Sequence, residues 1–398
     1  MDFEHSDRAK MIEEQLQRFM DEFVYPAERT YAEQLEASDD PHAEPEIMKE
    51  LREKAKANGM WNLFLPDEKW GAGLSNLDYT PLCEIMGKSP IAPRVFNCQA
   101  PDTGNAEILA EFGSDEQKEL WLNPLLEGEI RSCFSMTEPE VSGADPTGLQ
   151  TRAERDGDEY VINGHKWFTS GAIGARFAIA MVVTDPEAAP HNRMSQIIVP
   201  TDTPGFNIIR AISVMGHAGG GGHCEIRYEN CRVPVANRLG PEHAGFMIAQ
   251  ARLGPGRIHH CMRAIGMAER GFELMCRHVN RRNAFGGPLS EKQFVQEWVA
   301  TSRMEIDQAR LLTLYAAWKM DTYGKEVARQ EISMIKVVVP NMMMAVLDRS
   351  IQSMGSLGVS DDTPVAGMWR HGRALRIADG PDEVHKMVIA RRELKRFA

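Results

Sequence analysis

The sequence predicts an α+β chain in three parts: helices over 1–130, a small β domain over 131–235, and a helical bundle over 236–398. Three observations carry this. Apolar residues in the first part recur at helical intervals, as with Leu109, Phe112, Leu120 and Leu125, between turn clusters such as Trp70-Gly71-Ala72-Gly73. In the middle part the period falls to two. After Pro234 the helical period returns in three very long stretches.

Within the middle part, Tyr160-Val161-Ile162 runs into Asn163-Gly164, which reads as a hairpin turn because both residues tolerate positive φ. Phe177 to Val183, Ser195 to Val199, Phe206 to Ile212 and Cys224 to Arg232 read as further short strands, two of them separated by Pro200, Pro204 and Gly205. The long helices are expected at Gly245 to Arg281, Ser290 to Tyr323 and Glu326 to Met354. Each is longer than a compact monomer needs, so packing against another subunit is expected.

Bulk properties narrow the function. A chain of 398 residues that is 43% hydrophobic and 26% charged folds into more than one core. The net charge of −12 argues against nonspecific nucleic-acid or anionic-membrane binding. Seven cysteines, at 83, 98, 133, 224, 231, 261 and 276, contain no C-x-x-C pair, so reduced thiols in a cytosol-like compartment are expected. The acidic start lacks the pattern of a signal peptide, and no apolar run long enough to span a bilayer is read.

Chemistry concentrates in a few segments. Ile377-Ala378-Asp379-Gly380-Pro381-Asp382-Glu383-Val384-His385 places a carboxylate before a Gly-Pro break, where it can reach a ligand. Upstream stand Phe134-Ser135-Met136-Thr137-Glu138-Pro139, Asp145 and Trp167-Phe168-Thr169. Together with Gly245-Phe246, Arg282-x-x-Phe285-Gly286 and Gln352, in this order, they resemble the acyl-CoA dehydrogenase family over essentially the whole chain. The ending resembles the mammalian subgroup fused to a phosphotransferase-like domain, and no such extra domain is expected here. The resemblance implies that family's fold, with an N-terminal helical domain, a middle β-barrel domain and a C-terminal four-helix bundle.

It also implies FAD and a set of roles. The backbone of Met136 and Thr137 would contact the flavin pyrimidine edge, Trp167 would pack on the ring, and Thr169 would bond near N5. Phe134, Gly143 and Ala144 would complete that side. Arg282, Phe285 and Gln293 would reach the FAD of a neighbouring subunit, with Gln352, Ser356 and Glu383 near its pyrophosphate and adenine. A homodimer or homotetramer is therefore expected. Asp379 takes the catalytic-base position, where many members have Glu, and a raised pKa against an apolar acyl chain is expected of it. Ala144, Arg257 and Gly380 would touch the acyl-CoA substrate, and an electron-transfer flavoprotein would accept the electrons.

The chain departs from the family pattern in places. Leu253-Gly254-Pro255-Gly256-Arg257 carries no acid, which leaves Asp379 as the base. Gly143-Ala144-Asp145 lacks the usual serine, and Pro381 removes a hydroxyl and an amide donor. Gly219-Gly220-Gly221-Gly222, between His217 and His223, lacks the lysine and helix start of a phosphate cradle and reads as a loop. His259-His260 reads as packing or surface. Two other readings stay open: a nitroalkane-oxidase-like flavoenzyme, and a low-turnover flavin-binding protein.

Overall fold

The computed structural model describes residues 2–216 and 221–398, so His217, Gly219 and Gly220 of the glycine-rich run lie outside the described residues. Packing divides the chain into two compact units. One holds the segment ending at Glu28, Gly73–Val95 and Arg257–Ala398; the other holds Arg29–Ala72 and Phe96–Gly256.

Helices lead. These are α1 (Asp7–Phe19), α2 (Tyr25–Glu36), α3 (Ile47–Ala57), α4 (Asn76–Gly87) and α5 (Asp102–Phe112). α1 forms because Ser6 caps it, its hydroxyl accepting from the Ala9 amide, with Asp7 in the first turn and Ala9, Leu16 and Phe19 on the buried stripe. After α5 the expected periodicity slips. Leu120 is 60% exposed while Trp121 and Leu122 turn inward, because 118–122 form a π-turn that shifts the helical phase.

The second unit contains one eight-stranded sheet. Its strands are β1 (Ser132–Ser135), β2 (Arg152–Asp156), β3 (Glu159–Ser170), β4 (Phe177–Val183), β5 (Met194–Pro200), β6 (Phe206–Ile212), β7 (His223–Pro234) and β8 (Arg238–Leu239). The hydrogen-bonded path runs β6-β7-β3-β2-β4-β5-β8, and β1 pairs parallel with β4. All seven residues of β4 are buried, as a central strand requires.

Asn163-Gly164 is not the hairpin turn. β3 runs straight through it, and the turn falls earlier, between Asp156 and Glu159, with Gly157 at φ +63°. Gly164 instead sits at an irregularity of the β3–β7 ladder, where an added Cβ would lie 2.4 Å from the Thr151 hydroxyl. The glycine is needed there for close approach, not for a turn.

The other unit is helical. Its long helices are α6 (Gly245–Arg281), whose first twelve residues belong to the sheet unit, α7 (Gln293–Tyr323) and α8 (Lys325–Met354), followed by α9 (Val365–Leu375) and α10 (Asp382–Lys395). Between α6 and α7 a small ribbon pairs β9 (Asn283–Ala284) with β10 (Gly287–Pro288). α7 begins three residues later than expected because Leu289–Glu291 forms a separate 3₁₀ turn. Asp321 of α7 accepts from the Asn76 and Leu77 amides at 3.2 and 2.8 Å, satisfying two otherwise orphaned donors at the start of α4. Glu269 of α6 meets Arg303 and Arg310 of α7, and Arg310 also makes two bonds to Glu84 of α4.

Contrary to the sequence expectation, α8 is long and apolar enough to cross a membrane, the one such helix among the described residues. However, 61% of its apolar window is buried, as in a core helix.

α4 and α6 cross very closely. An added Cβ at Gly266 would lie 2.0 Å from the Glu84 carbonyl oxygen, and one at Gly87 would lie 2.3 Å from that of Arg263. Gly266→Ala should therefore lower stability by about 1–3 kcal/mol, the usual range for overpacking. Gly256→Ala, with open space around it, should be neutral or stabilising by up to about 1 kcal/mol. Thermal unfolding of the two variants checks the contrast.

Candidate active site

Two constellations carry the expected site residues, one in each unit. In the sheet unit, Asp102 of α5 fixes the start of β1. Its carboxylate accepts from the Ser132 amide and hydroxyl at 2.8 and 2.7 Å and pairs with Arg131 at 2.6 Å. The side chains of Phe134 and Met136 pack against an apolar cluster of Leu149, Met181, Val183, Met194 and Ala249. The Arg252 guanidinium lies 4.2 Å over the Phe134 ring. Those two side chains serve packing, so the segment after β1 presents its backbone.

Lys166 of β3 determines how. It is fully buried, and its Nζ donates to the Met136 carbonyl and to Glu138 Oε1, both at 2.8 Å. The Trp167 amide donates to the Thr137 carbonyl at 2.9 Å. Glu138, itself buried, also accepts from the Gln150 and Thr151 amides at 2.7 and 2.8 Å. In a trans peptide the N–H lies opposite the carbonyl, so the N–H groups of Thr137 and Glu138 point away from β3. The segment therefore offers two backbone donors on one edge.

Burial pushes the Lys166 ammonium down to about 8, against the pull of Glu138. Burial works against the Glu138 charge too, yet Lys166 and the donors around it hold its carboxyl below the usual range.

A bulge in β3 sets Trp167. The β3–β7 register shifts between Lys166 and Thr169, with Phe168 at φ +51°, so two buried residues stand three apart. Trp167 is half-buried and meets the exposed Phe168 ring edge-on at 5.1 Å. Thr169 is buried, its hydroxyl 3.3 Å from that of Ser135. Gly143 and Ala144 lie on an exposed loop passing Thr137, where a Cβ at Gly143 would come within 3.0 Å of Thr137 Cγ2. Asp145 turns its carboxylate to the Thr147 amide and hydroxyl at 3.1 and 2.6 Å.

In the helical unit, Asp379 sits at φ +58° on a short loop between α9 and α10. Two residues clamp that loop. Arg376 donates from Nε and pairs through Nη2 with Asp382 Oδ2, both at 2.8 Å, and Asn341 of α8 donates to the same oxygen at 3.0 Å. The Asp379 carbonyl accepts from Arg257 Nε at 3.0 Å and from His385 Nε2 at 3.3 Å. Gly380, at φ +103°, leaves the room His385 needs, since a Cβ there would lie 2.9 Å from its Nε2. His260 Nε2 lies 3.2 Å from Asp379 Oδ2. Lys336, fully buried, donates to the Leu375 carbonyl at 2.7 Å, and burial lowers its pKa.

The carboxylate thus stands among cationic and basic groups of the protein. Burial also lowers the pKa of Arg257 and brings His385 down to about 4.

The remaining expected residues sit at exposed positions. Arg282 and Phe285 belong to the β9–β10 ribbon, where Phe285 at φ +51° and Gly286 at φ +83° form a two-residue turn and Phe285 is 98% exposed. Gln293 opens α7 beside Phe294, which is 80% exposed. Gln352 and Ser356 flank Gly355 at the end of α8, and Glu383 lies in the first turn of α10.

Sequence reading singled out the segments that hold Glu138 and Asp382 without giving either a role, and it gave none to Lys166, His260 or Lys336. Only His260 left a usable signal, standing one helical turn beyond Arg257 on α6. An open pocket in the sheet unit, lined by His191, Asn192, Glu242, His243, Phe246 and Met247, contains none of the residues given a cofactor or substrate role.

Comparison with known proteins covers nearly the whole chain. The chain matches the acyl-CoA dehydrogenase N-terminal domain over residues 6–129, the middle domain over 133–231 and the C-terminal domain over 243–394. It is 52% identical over 400 residues to the protein FadE2 of Mycobacterium tuberculosis, covering all of this chain and 98% of that one. It is 49% identical to acyl-CoA dehydrogenase family member 10 of Mus musculus, covering 98% of this chain but only 37% of the mouse protein. A solved acyl-CoA dehydrogenase-like structure from Mycobacterium abscessus superposes with a TM-score of 0.96 at 46% identity, covering 99% of this chain and 100% of that one.

These matches define the class of the chain as an FAD-dependent oxidoreductase. The chain belongs to the acyl-CoA dehydrogenase family, with that family's helical, sheet and helical domains in order. Its subgroup is the one that includes family members 10 and 11.

Lys166→Met should cost about 3–5 kcal/mol, because it leaves the Glu138 carboxylate buried without its cation. The deficit against the wild type should shrink as pH falls below about 4.5, since Glu138's stabilising charge is present above its ordinary value and lost as it protonates. Denaturant unfolding at pH 7 and pH 4 checks both statements.

Proposed function

We propose that this protein dehydrogenates an acyl-CoA thioester between its α and β carbons, forming the trans-2-enoyl-CoA and passing electrons to an electron-transfer flavoprotein. The observation that carries the reading is Asp379, held on its loop by Arg257 from α6 and by the Arg376–Asp382 clamp. A carboxylate fixed in this way can take a proton α to a thioester carbonyl with little reorganisation. The backbone around it, restrained by Arg257 and His385, sets where the carboxylate points.

FAD fits the residues of the sheet unit. The outward N–H groups of Thr137 and Glu138 suit a pyrimidine edge on which charge develops, and Trp167 offers a flat face. When bound, FAD supplies the two-electron acceptor for the β hydrogen. Phe134, Met136, Gly143, Ala144 and Thr169 support that edge from packing and loop positions.

Arg282, Phe285 and Gln293 are assigned to the FAD of a second copy, which makes the working protein a dimer or tetramer. A Phe almost wholly exposed in a left-handed turn supports this, because water gives it no reason to stand there. Gln352, Ser356 and Glu383 are assigned to the pyrophosphate and adenine, and Gly380 to the substrate. A cytosol-like compartment is proposed on the seven reduced cysteines, six of them buried.

Anaerobic titration of the purified yellow protein with acyl-CoAs of increasing length tests the chemistry. One chain-length range should bleach the flavin band, and Asp379→Asn should slow bleaching by roughly 10²–10⁴-fold. Bleaching by a nitroalkane and by no acyl-CoA would replace this reading with the oxidase-like one. Light scattering tests assembly: the expected mass is two or four times 44.6 kDa, and a monomer that retains full flavin would overturn the shared-site assignment.

A further inference from the structure

This inference rests on the reading of Asp379 as the base and concerns what orients it. His260 follows Arg257 by three residues on α6, so the two project from one face. Arg257 holds the backbone carbonyl of Asp379 at 3.0 Å, while His260 Nε2 stands 3.2 Å from carboxylate oxygen Oδ2. The other ring nitrogen, His260 Nδ1, lies 3.1 Å from Arg263 Nη2. A guanidinium can only donate, so Nδ1 bears the lone pair and the ring proton sits on Nε2, toward the carboxylate.

The charged and titratable groups that act on the ring are Arg263 and His259 on α6, Lys336 on α8, His371 on α9, and Asp379. Burial, and then Arg263, bring its pKa down to about 3 against the opposite pull of Asp379. The imidazole is therefore a neutral donor that cannot relay the proton onward, because the nitrogen able to receive one is directed at Arg263.

We propose that His260 is a positioning residue for Asp379: its Nε2–H holds one carboxylate oxygen, fixing the rotation of the side chain and favouring the anion. Arg257 and His260 thus grip the base at two points from a single helix, one through its backbone and one through its side chain.

The test follows anaerobic flavin reduction by acyl-CoA against pH in the wild type, His260→Leu and His260→Gln, with Asp379→Asn alongside. Loss of the donor should raise the acid limb of the His260→Leu profile by ~1 pH unit, because a group that favours the anion is gone. The rate above the limb should fall roughly tenfold with little change in KM, and His260→Gln, which keeps an N–H donor, should restore most of both. An unshifted limb in folded His260→Leu, or no rescue by Gln, overturns the proposal.

A second readout does not depend on turnover. With ¹⁵N-labelled histidine in the holoenzyme, the His260 ring should be neutral and protonated on Nε2 between about pH 5.5 and 8. A ring protonated on Nδ1, or one that titrates in that window, overturns the proposal even if the Leu variant fails to fold. Asp379→Asn separates the two ideas. If it reduces flavin at the wild-type rate, the base reading fails; if it is inactive while His260→Leu keeps a wild-type limb, only the His260 proposal fails.

Discussion

The buried pair Lys166–Glu138 is the constraint around which the sheet unit is arranged. Neither charge reaches water, and an isolated buried ion is too costly to persist. The pair is tolerated because it is bonded on both sides: Glu138 accepts from two amides of the 150–151 segment, and Lys166 donates to the Met136 carbonyl and to Glu138 itself. Those bonds leave the Met136-Thr137-Glu138 segment few choices of orientation. Its carbonyls turn inward, and the donors that remain are those a ligand can use. One interaction thus links the packing of β1 and β3 to the shape of the donor edge.

The helical unit reaches the same end with different means. Its Asp379 loop is short, closed by one main-chain bond from the Asp382 amide to the Arg376 carbonyl, and side chains around it supply the rest of its restraint. Arg376 and Asp382 close its ends, Asn341 braces Asp382 from α8, and Arg257 and His385 hold the carbonyl at its centre. Buried Lys336 pins the end of α9. A loop so restrained can carry a reactive group without the entropy that a mobile loop would lose on binding.

Much of the fold was legible from sequence because it follows from periodicity. Phe177–Val183, Phe206–Ile212 and Gly245–Arg281 were read with their observed limits, since their apolar patterns run cleanly between turn residues. The failures have specific causes. Asn163-Gly164 resembles a turn locally, but the ladder partners of β3 continue across it, and tertiary pairing overrides local preference. Leu120 obeyed the α-helical period in a stretch that is not α-helical. At the site, Asp379, Trp167 and Thr137 stood out because they recur in a recognisable order. Lys166, Lys336 and Asp382 did not, because a buried charge looks like a surface charge in sequence until its partners are known.

The left-handed backbone at Asp379 also bears on why the chain carries aspartate there. Positive φ is tolerated by Asp and Asn, whose short polar side chains can interact with their own backbone, and is much less favourable for longer residues. Reach and conformation are consequently inherited together at this position. A longer carboxylate would need the loop to leave the geometry that Arg257 and His385 maintain, with strain of about 1–3 kcal/mol if it did not. The length of the acid is thus tied to the backbone that bears it.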